Sequence, residues 1–139
     1  MVIDSSALIA ILTNEPECKG FAAEIERDAT RLVSAVSVVE TSLVLQSRYG
    51  EEAVDDLDLL LTKMAARVVP FSVADIAGVR SAYERFGKGR HAASLNFGDC
   101  FSYALAVSSG EPLLFKGEDF SRTDVAKIAT EVDEAKAAF

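Results

Sequence analysis

An α/β fold built on a central, mostly parallel sheet is what this sequence predicts. Short apolar runs recur along the chain: Met1-Val2-Ile3, Arg31-Leu32-Val33-Ser34, Arg67-Val68-Val69-Pro70-Phe71 and Pro112-Leu113-Leu114-Phe115-Lys116. Between them lie stretches whose apolar residues follow helical spacing. Strands alternating with helices imply parallel pairing with both faces of the sheet covered. With 139 residues, half of them hydrophobic, a single domain spanning 1–139 with a full core is expected.

The elements follow in order. Met1-Val2-Ile3 reads as a short, buried first strand. Ser5 to Leu12 reads as a helix capped by Asp4 or Ser5. Pro16 suits the first turn of a second helix reaching Asp28. After the second strand, Val38 to Tyr49 reads as a helix closed by Gly50, and Glu51 to Ala65 as another. The latter carries an apolar stripe of Val54, Leu57, Leu61 and Met64, widened by Leu59 and Leu60. A third strand over 67–71 is followed by a helix starting at Ser72 or Asp75 and ending at Phe86. Gly87 to His91 is a loop, the one place where basic residues cluster on flexible backbone. Phe97 to Ser109 is a helix ended by Gly110, ahead of the fourth strand. Gly117 to Phe120 is a turn, Val125 to Ala129 a short last strand, and the tail to Phe139 helical.

The bulk numbers bound the function. A formal charge of −8 argues against a protein that grips duplex DNA through a broad basic face, because such binding rests on phosphate neutralisation. It leaves room for a nucleic-acid enzyme whose acids hold a divalent metal, since the ion then supplies the missing positive charge. No apolar run is long enough to span a bilayer, and no basic segment precedes the first one, so no membrane association and a cytoplasmic location are expected. The two cysteines, Cys18 and Cys100, lie in different apolar segments without motif spacing and read as buried thiols.

Helices run antiparallel to strands in such folds, so strand carboxyl ends and helix amino ends share one rim. Four acids belong to it: Asp4 after the first strand, Glu40 in the first turns of the helix after the second, Asp99 in the first turn of the helix leading to the fourth, and Asp119 after the fourth. Carboxylates brought close repel unless a cation compensates. Mg²⁺ or Mn²⁺ suits hard oxygen ligands and supports in-line attack of water on phosphorus. Each acid also has an ordinary structural use. Asp4 fits an N-cap, Ser37-Val38-Val39-Glu40 a capping box, Asn96 to Asp99 a cap with an acid near the helix dipole, and Asp119 a turn.

These residues also resemble the PIN-domain ribonucleases, and within them the VapC toxins of bacterial toxin–antitoxin pairs. The likeness lies in Met1 to Leu8, Val39-Glu40-Thr41, Leu95 to Ala104 with its Asn-Phe-Gly-Asp block, and Pro112 to Phe120. It implies an α/β/α sandwich and an endoribonuclease dependent on Mg²⁺ or Mn²⁺. Asp4 and Asp99 would be the metal ligands, Glu40 would complete the acidic pocket, and Asp119 would act as the more variable fourth acid. Ser6 matches a small hydroxyl position that orients the acids, and Ser5 stands where the family usually has Thr. The resemblance further implies a homodimer and a small antitoxin. The stripe over residues 54–64 offers the antitoxin a groove, or else packs in the core.

In the mechanism that follows, Asp4 and Asp99 hold the ion, a water attacks the RNA phosphodiester, and Glu40 or Asp119 holds or deprotonates that water. Lys88, Arg90, His91 and Lys116 are candidates for steering the phosphate backbone. The first three read more readily as a solvated loop, and Lys116 could pair with an acid. A phospho-acceptor receiver domain is a rival, given the rim acids and Lys116 at a strand end. It lacks the acceptor acid after the third strand, where Val69-Pro70-Phe71-Ser72 stands. A PIN fold kept only as a binding scaffold is a third reading.

Overall fold

Val2–Ile3 forms β1, buried completely at the centre of the sheet. The computed structural model describes residues 1–130 and 138. The expected helical tail therefore falls almost wholly outside the described residues. Asp4 ends β1 and caps α1, Ser5–Leu12, by accepting from the Ser6 amide at 3.0 Å. The second helix, α2, spans Cys18–Arg27 and begins two residues later than Pro16, which stays in the preceding turn.

β2 is Leu32–Ser34, and α3 follows with no linker as Ala35–Tyr49. Ser34 is at once the last strand residue and the N-cap, accepting from the Val36 amide at 3.2 Å. This corrects the expected start at Val38. The capping box read into Ser37 to Glu40 does not form, because both residues already lie inside the helix. Gly50, at φ 88°, ends α3 in a conformation open to glycine. α4 spans Glu52–Lys63, β3 Arg67–Val69 and α5 Ile76–Phe86. A single 3₁₀ turn, Val73–Asp75, leads into α5, with Ser72 and Asp75 forming a capping box. α6 is Phe97–Ser109, closed by left-handed Gly110, and β4 is Leu113–Leu114.

All four strands are parallel, in the order β3-β2-β1-β4. The chain winds outward from β1 to β3, then returns to the other side of β1 to lay down β4. The crevice beyond the carboxyl ends of β1 and β4 is thus a topological switch point, where open α/β sheets seat their ligands. The last strand expected at Val125 to Ala129 is reduced to one parallel bridge between Lys127 and Leu113. A 3₁₀ turn at Phe120–Arg122 takes up the chain just before it.

Two apolar clusters flank the sheet, as an α/β/α sandwich requires. One joins Ile3, Leu8, Phe21, Ile25, Leu45, Leu57, Leu61 and Leu114. The other joins Val2, Ala82, Phe86, Leu95, Tyr103, Leu113 and Phe120. Most of the α4 stripe packs into the first cluster, while Leu59 stays exposed. Leu60 and Met64 line a shallow cleft of about 290 Å³ with Ile11 and Ile25. Cys100 is buried and Cys18 half-buried, and both are free thiols. The buried Met1 ammonium donates to Asp28 at 2.8 Å, Glu111 at 2.7 Å and the Thr30 carbonyl at 2.6 Å. That hydrogen bond holds the Asp28 carboxyl below its ordinary value. Arg85 and Tyr103 both bind Asp124, tying the segment after β4 to α5 and α6.

Candidate active site

Asp4 is 2 % exposed, and both oxygens of its buried carboxylate accept hydrogen bonds. Oδ2 accepts from the Ser6 amide and from Ser6 Oγ at 2.7 Å; Oδ1 accepts from Ser102 Oγ at 2.6 Å. Ser6 Oγ also accepts from the Lys116 amide at 2.9 Å, which fastens the end of β4 to the start of α1. Ser102 lies 3.2 Å from Ser37 Oγ, so a hydroxyl pair bridges α6 and α3 beneath Asp4. Glu40, in the second turn of α3, accepts from Ser5 Oγ at 2.5 Å. Two successive serines of α1 therefore orient two different acids.

Asp99 sits at the third position of α6. Its Oδ2 accepts from the Asn96 amide at 3.0 Å, while Asn96 Oδ1 accepts from the Asp99 amide at 2.9 Å. The cap read from the sequence and a place on the rim are thus one and the same arrangement. Burial pushes the Asp99 carboxyl up to about 7, its bond to Asn96 opposes the rise, and the charges of Asp4, Asp119 and Glu40 add to it. All three other acids raise this one carboxyl, so the four lie within reach of one another's charge. Asp119 is exposed in the turn after β4, and nothing among the described residues hydrogen-bonds its carboxylate.

Gly98 admits Glu40 to this group. A Cβ at that position would fall 1.9 Å from Glu40 Oε2 and 2.6 Å from its Cδ. In the sequence, Gly98 stands out only within the Asn-Phe-Gly-Asp block, and Ser102 carries no role. The readable signal was spacing. Ser102 follows Asp99 by three residues on a helix, and Ser37, Thr41 and Ser102 interrupt otherwise apolar helix faces while being buried.

The basic candidates separate. Lys116 is ion-paired with Glu15 and, at 3.3 Å, with Glu17. His91 Nδ1 accepts from the Ala93 amide at 2.9 Å and its ring stands edge-on to Phe86, which gives it a part in folding its own loop. Lys88 and Arg90 are exposed and line a cleft beside Asn96.

The donor set fits a hard divalent cation. All four groups are carboxylates, and Asp99 lies in an uncompensated negative field that such an ion would relieve. Among the described residues no three His, Cys, Asp or Glu side chains form a ready-made cage.

The PIN domain family matches residues 1–126. Ribonuclease VapC30 of Mycobacterium tuberculosis is 51% identical over 129 residues, covering 93% of this chain and 98% of that one. The chain belongs to the PIN-domain family, among its VapC ribonucleases. Solved structures agree on the fold of this PIN domain. The sarcin–ricin loop cleaving toxin VapC20 of M. tuberculosis matches with a TM-score of 0.75 at 15% identity, covering 91% of this chain and 97% of that one. A toxin–antitoxin complex from Klebsiella pneumoniae matches with a TM-score of 0.66 at 14% identity, covering 88% and 92%. Membership disfavours the receiver reading, and Lys116 is held by Glu15 and Glu17.

For the PIN-domain rim, the Ser102 hydroxyl is a support with a measurable value. Ser102→Ala removes a buried donor to Asp4, and is expected to lower unfolding free energy by about 1–2 kcal/mol. Urea denaturation measures it. A midpoint equal to the parent's would mean that Asp4 finds another donor at no loss.

Proposed function

We propose that this chain is a metal-dependent endoribonuclease and the toxin of a toxin–antitoxin pair. The observation that carries the reading is the convergence of Asp4, Glu40 and Asp119 on the half-buried Asp99. Asp4 and Asp99 would hold Mg²⁺ or Mn²⁺. When bound, the ion supplies positive charge beside the scissile phosphodiester and lowers the pKa of water. The chain's own residues do the positioning. Ser6 and Ser102 fix Asp4, Ser5 fixes Glu40, and the Asn96 cap fixes Asp99. Glu40 or Asp119 accepts the proton of the attacking water, and the exposure of Asp119 suits it to that exchange.

A small antitoxin covers the α4 side, where Leu59 is exposed and Leu60 and Met64 border the shallow cleft. Exposed Val39 and Leu43, one turn apart on α3, support a homodimer. Among the described residues no helix is long and apolar enough to cross a bilayer. RNA as substrate fits a cytoplasmic location.

Metal binding tests the reading directly. Mn²⁺ or Mg²⁺ is expected to raise the melting temperature by mass action. The apparent affinity should weaken as pH falls below about 7, because a proton competes for Asp99. A thermal shift series between pH 5 and 8 reads both effects. Absence of any metal-dependent shift at pH 8, together with no RNA cleavage, would leave the fold as a scaffold without this chemistry.

A further inference from the structure

One stretch of the rim is unlike the rest of an acidic chain. The C-terminal half of α5, the loop of residues 88–94 and the start of α6 enclose an open cleft of about 700 Å³, lined by Arg80, Tyr83, Lys88, Arg90, Asn96 and Phe97 among others. Three cations face a single acid, Glu84, in a chain whose formal charge is −8. No ion pair among the described residues engages any of the three. Two aromatic rings are also left out of the core: Phe97 is 74% exposed and Tyr83 42%.

The cleft is braced rather than loose. A bridge between Gly87 and Leu95 closes the loop at its base, with the Lys88 amide on the Leu95 carbonyl at 2.9 Å and the Leu95 amide on the Phe86 carbonyl at 2.9 Å. The Arg90 guanidinium lies 5.7 Å from the centre of the Tyr83 ring. Phe97 packs edge-on against Phe101, with ring centroids 4.9 Å apart. Asn96 belongs both to this lining and to the cap that holds Asp99, so the cleft borders the start of α6 beside the acids, none of which lines it.

The geometry points to a nucleotide subsite: an unpaired base of the RNA stacks on Phe97 and Tyr83, and the flanking phosphates are drawn to Arg80, Lys88 and Arg90. Aromatic faces beside unpaired cations are how proteins seat single-stranded nucleic acid. A base stacked within a duplex has no free face to offer, so stacking in this cleft requires an unpaired nucleotide. The inference rests on the nuclease reading and adds to it the course of the strand. A second copy of the chain, or another protein, is the competing occupant. It would have to bring acids to meet the three cations.

The test measures binding and cleavage separately on the full chain. A single-stranded oligoribonucleotide carrying 2-aminopurine reports stacking by its fluorescence, and in EDTA it does so without cleavage. The parent should quench it, Phe97→Ala and Tyr83→Ala should weaken binding about tenfold each, and Phe97→Tyr should restore it. With metal, both alanine variants should raise KM more than they lower kcat, Phe97→Ala at an unchanged melting temperature. Tyr83→Ala also loses the bond from the Tyr83 hydroxyl to the Lys88 carbonyl at 3.3 Å, so Tyr83→Phe, which keeps the ring, should bind like the parent. A complementary strand should suppress cleavage by the parent. Parental quenching and kinetics in both alanine variants would overturn the subsite, as would equal cleavage of the duplex. Loss of self-association in those variants, with RNA binding intact, would assign the cleft to a protein. A parent that binds and quenches but never cleaves would overturn the nuclease reading while leaving the subsite standing.

Discussion

Asp99→Asn is expected to abolish RNA cleavage and, in the absence of metal, to leave the protein as stable as the parent or more so. The two effects have opposite signs because they arise from different properties of one side chain. Asparagine keeps an oxygen that can accept from the Asn96 amide, so the cap at the start of α6 survives. What is lost is a charge pressed by burial and by three neighbouring acids. Removing a candidate metal ligand forfeits several kcal/mol of transition-state stabilisation, so kcat/KM should fall by at least about 100-fold.

The pH dependence separates this from general damage. The Asp99 carboxyl is raised from 3.8 to about 7 in the folded chain. Below the unfolded value the group is protonated in both states and nothing is lost. As pH climbs from about 4 towards 7, the unfolded chain releases its proton more readily, and the metal-free fold loses stability. Allowing for solvent screening of a half-buried group, the loss is on the order of 1–3 kcal/mol. Metal-free parent should therefore melt at a lower temperature at pH 8 than at pH 5, relative to Asp99→Asn at the same pH. A variant that cleaves like the parent would remove Asp99 from the chemistry. A variant that loses stability at every pH would show the carboxylate acting mainly as a cap.

The same residue shows why the site was partly legible in the sequence. Apolar runs bounded by polar caps located all four strands: β1, β2 and β4 are short and buried between helices, while β3 is an edge strand with Val68 exposed. Strand and helix ends then had to share a rim, which placed Asp4, Glu40, Asp99 and Asp119 on it by topology alone. What pattern could not supply was the junction chemistry. Ser34 serves as strand end and helix cap together, so α3 begins without a loop and a full turn earlier than the serine at 37 suggests. Ser102 and Ser37 look neutral on a helix, and only packing of α6 against α3 turns them into a hydroxyl pair under Asp4. The basic loop is solvated as its residues suggest, exposed over 88–92, but the pinching of its base by Gly87 and Leu95 has no signature in the pattern.

Gly98→Ala is expected to disable cleavage while barely changing stability. Alanine is the better helix former by about 1 kcal/mol, and Gly98 occupies the second position of α6. The clash it creates, at 1.9 Å from Glu40 Oε2, falls on the far end of a rotatable side chain. The cheapest relief is for Glu40 to swing away and give up its bond to Ser5. Net stability should then stay within about 1 kcal/mol of the parent. Activity should not, since displacing one group of a reacting constellation by an ångström can lose about 10²-fold. Glu40→Ala should lose a similar amount, and Glu40→Ala with Gly98→Ala no more than Glu40→Ala alone, because both changes empty the same seat. Parental kinetics in Gly98→Ala would show that the position of Glu40 does not matter to the reaction. Unfolding of Gly98→Ala, reversed by adding Glu40→Ala, would show that the two helices are too rigidly packed for the carboxylate to leave, so that this glycine is what permits α3 and α6 to meet at the rim.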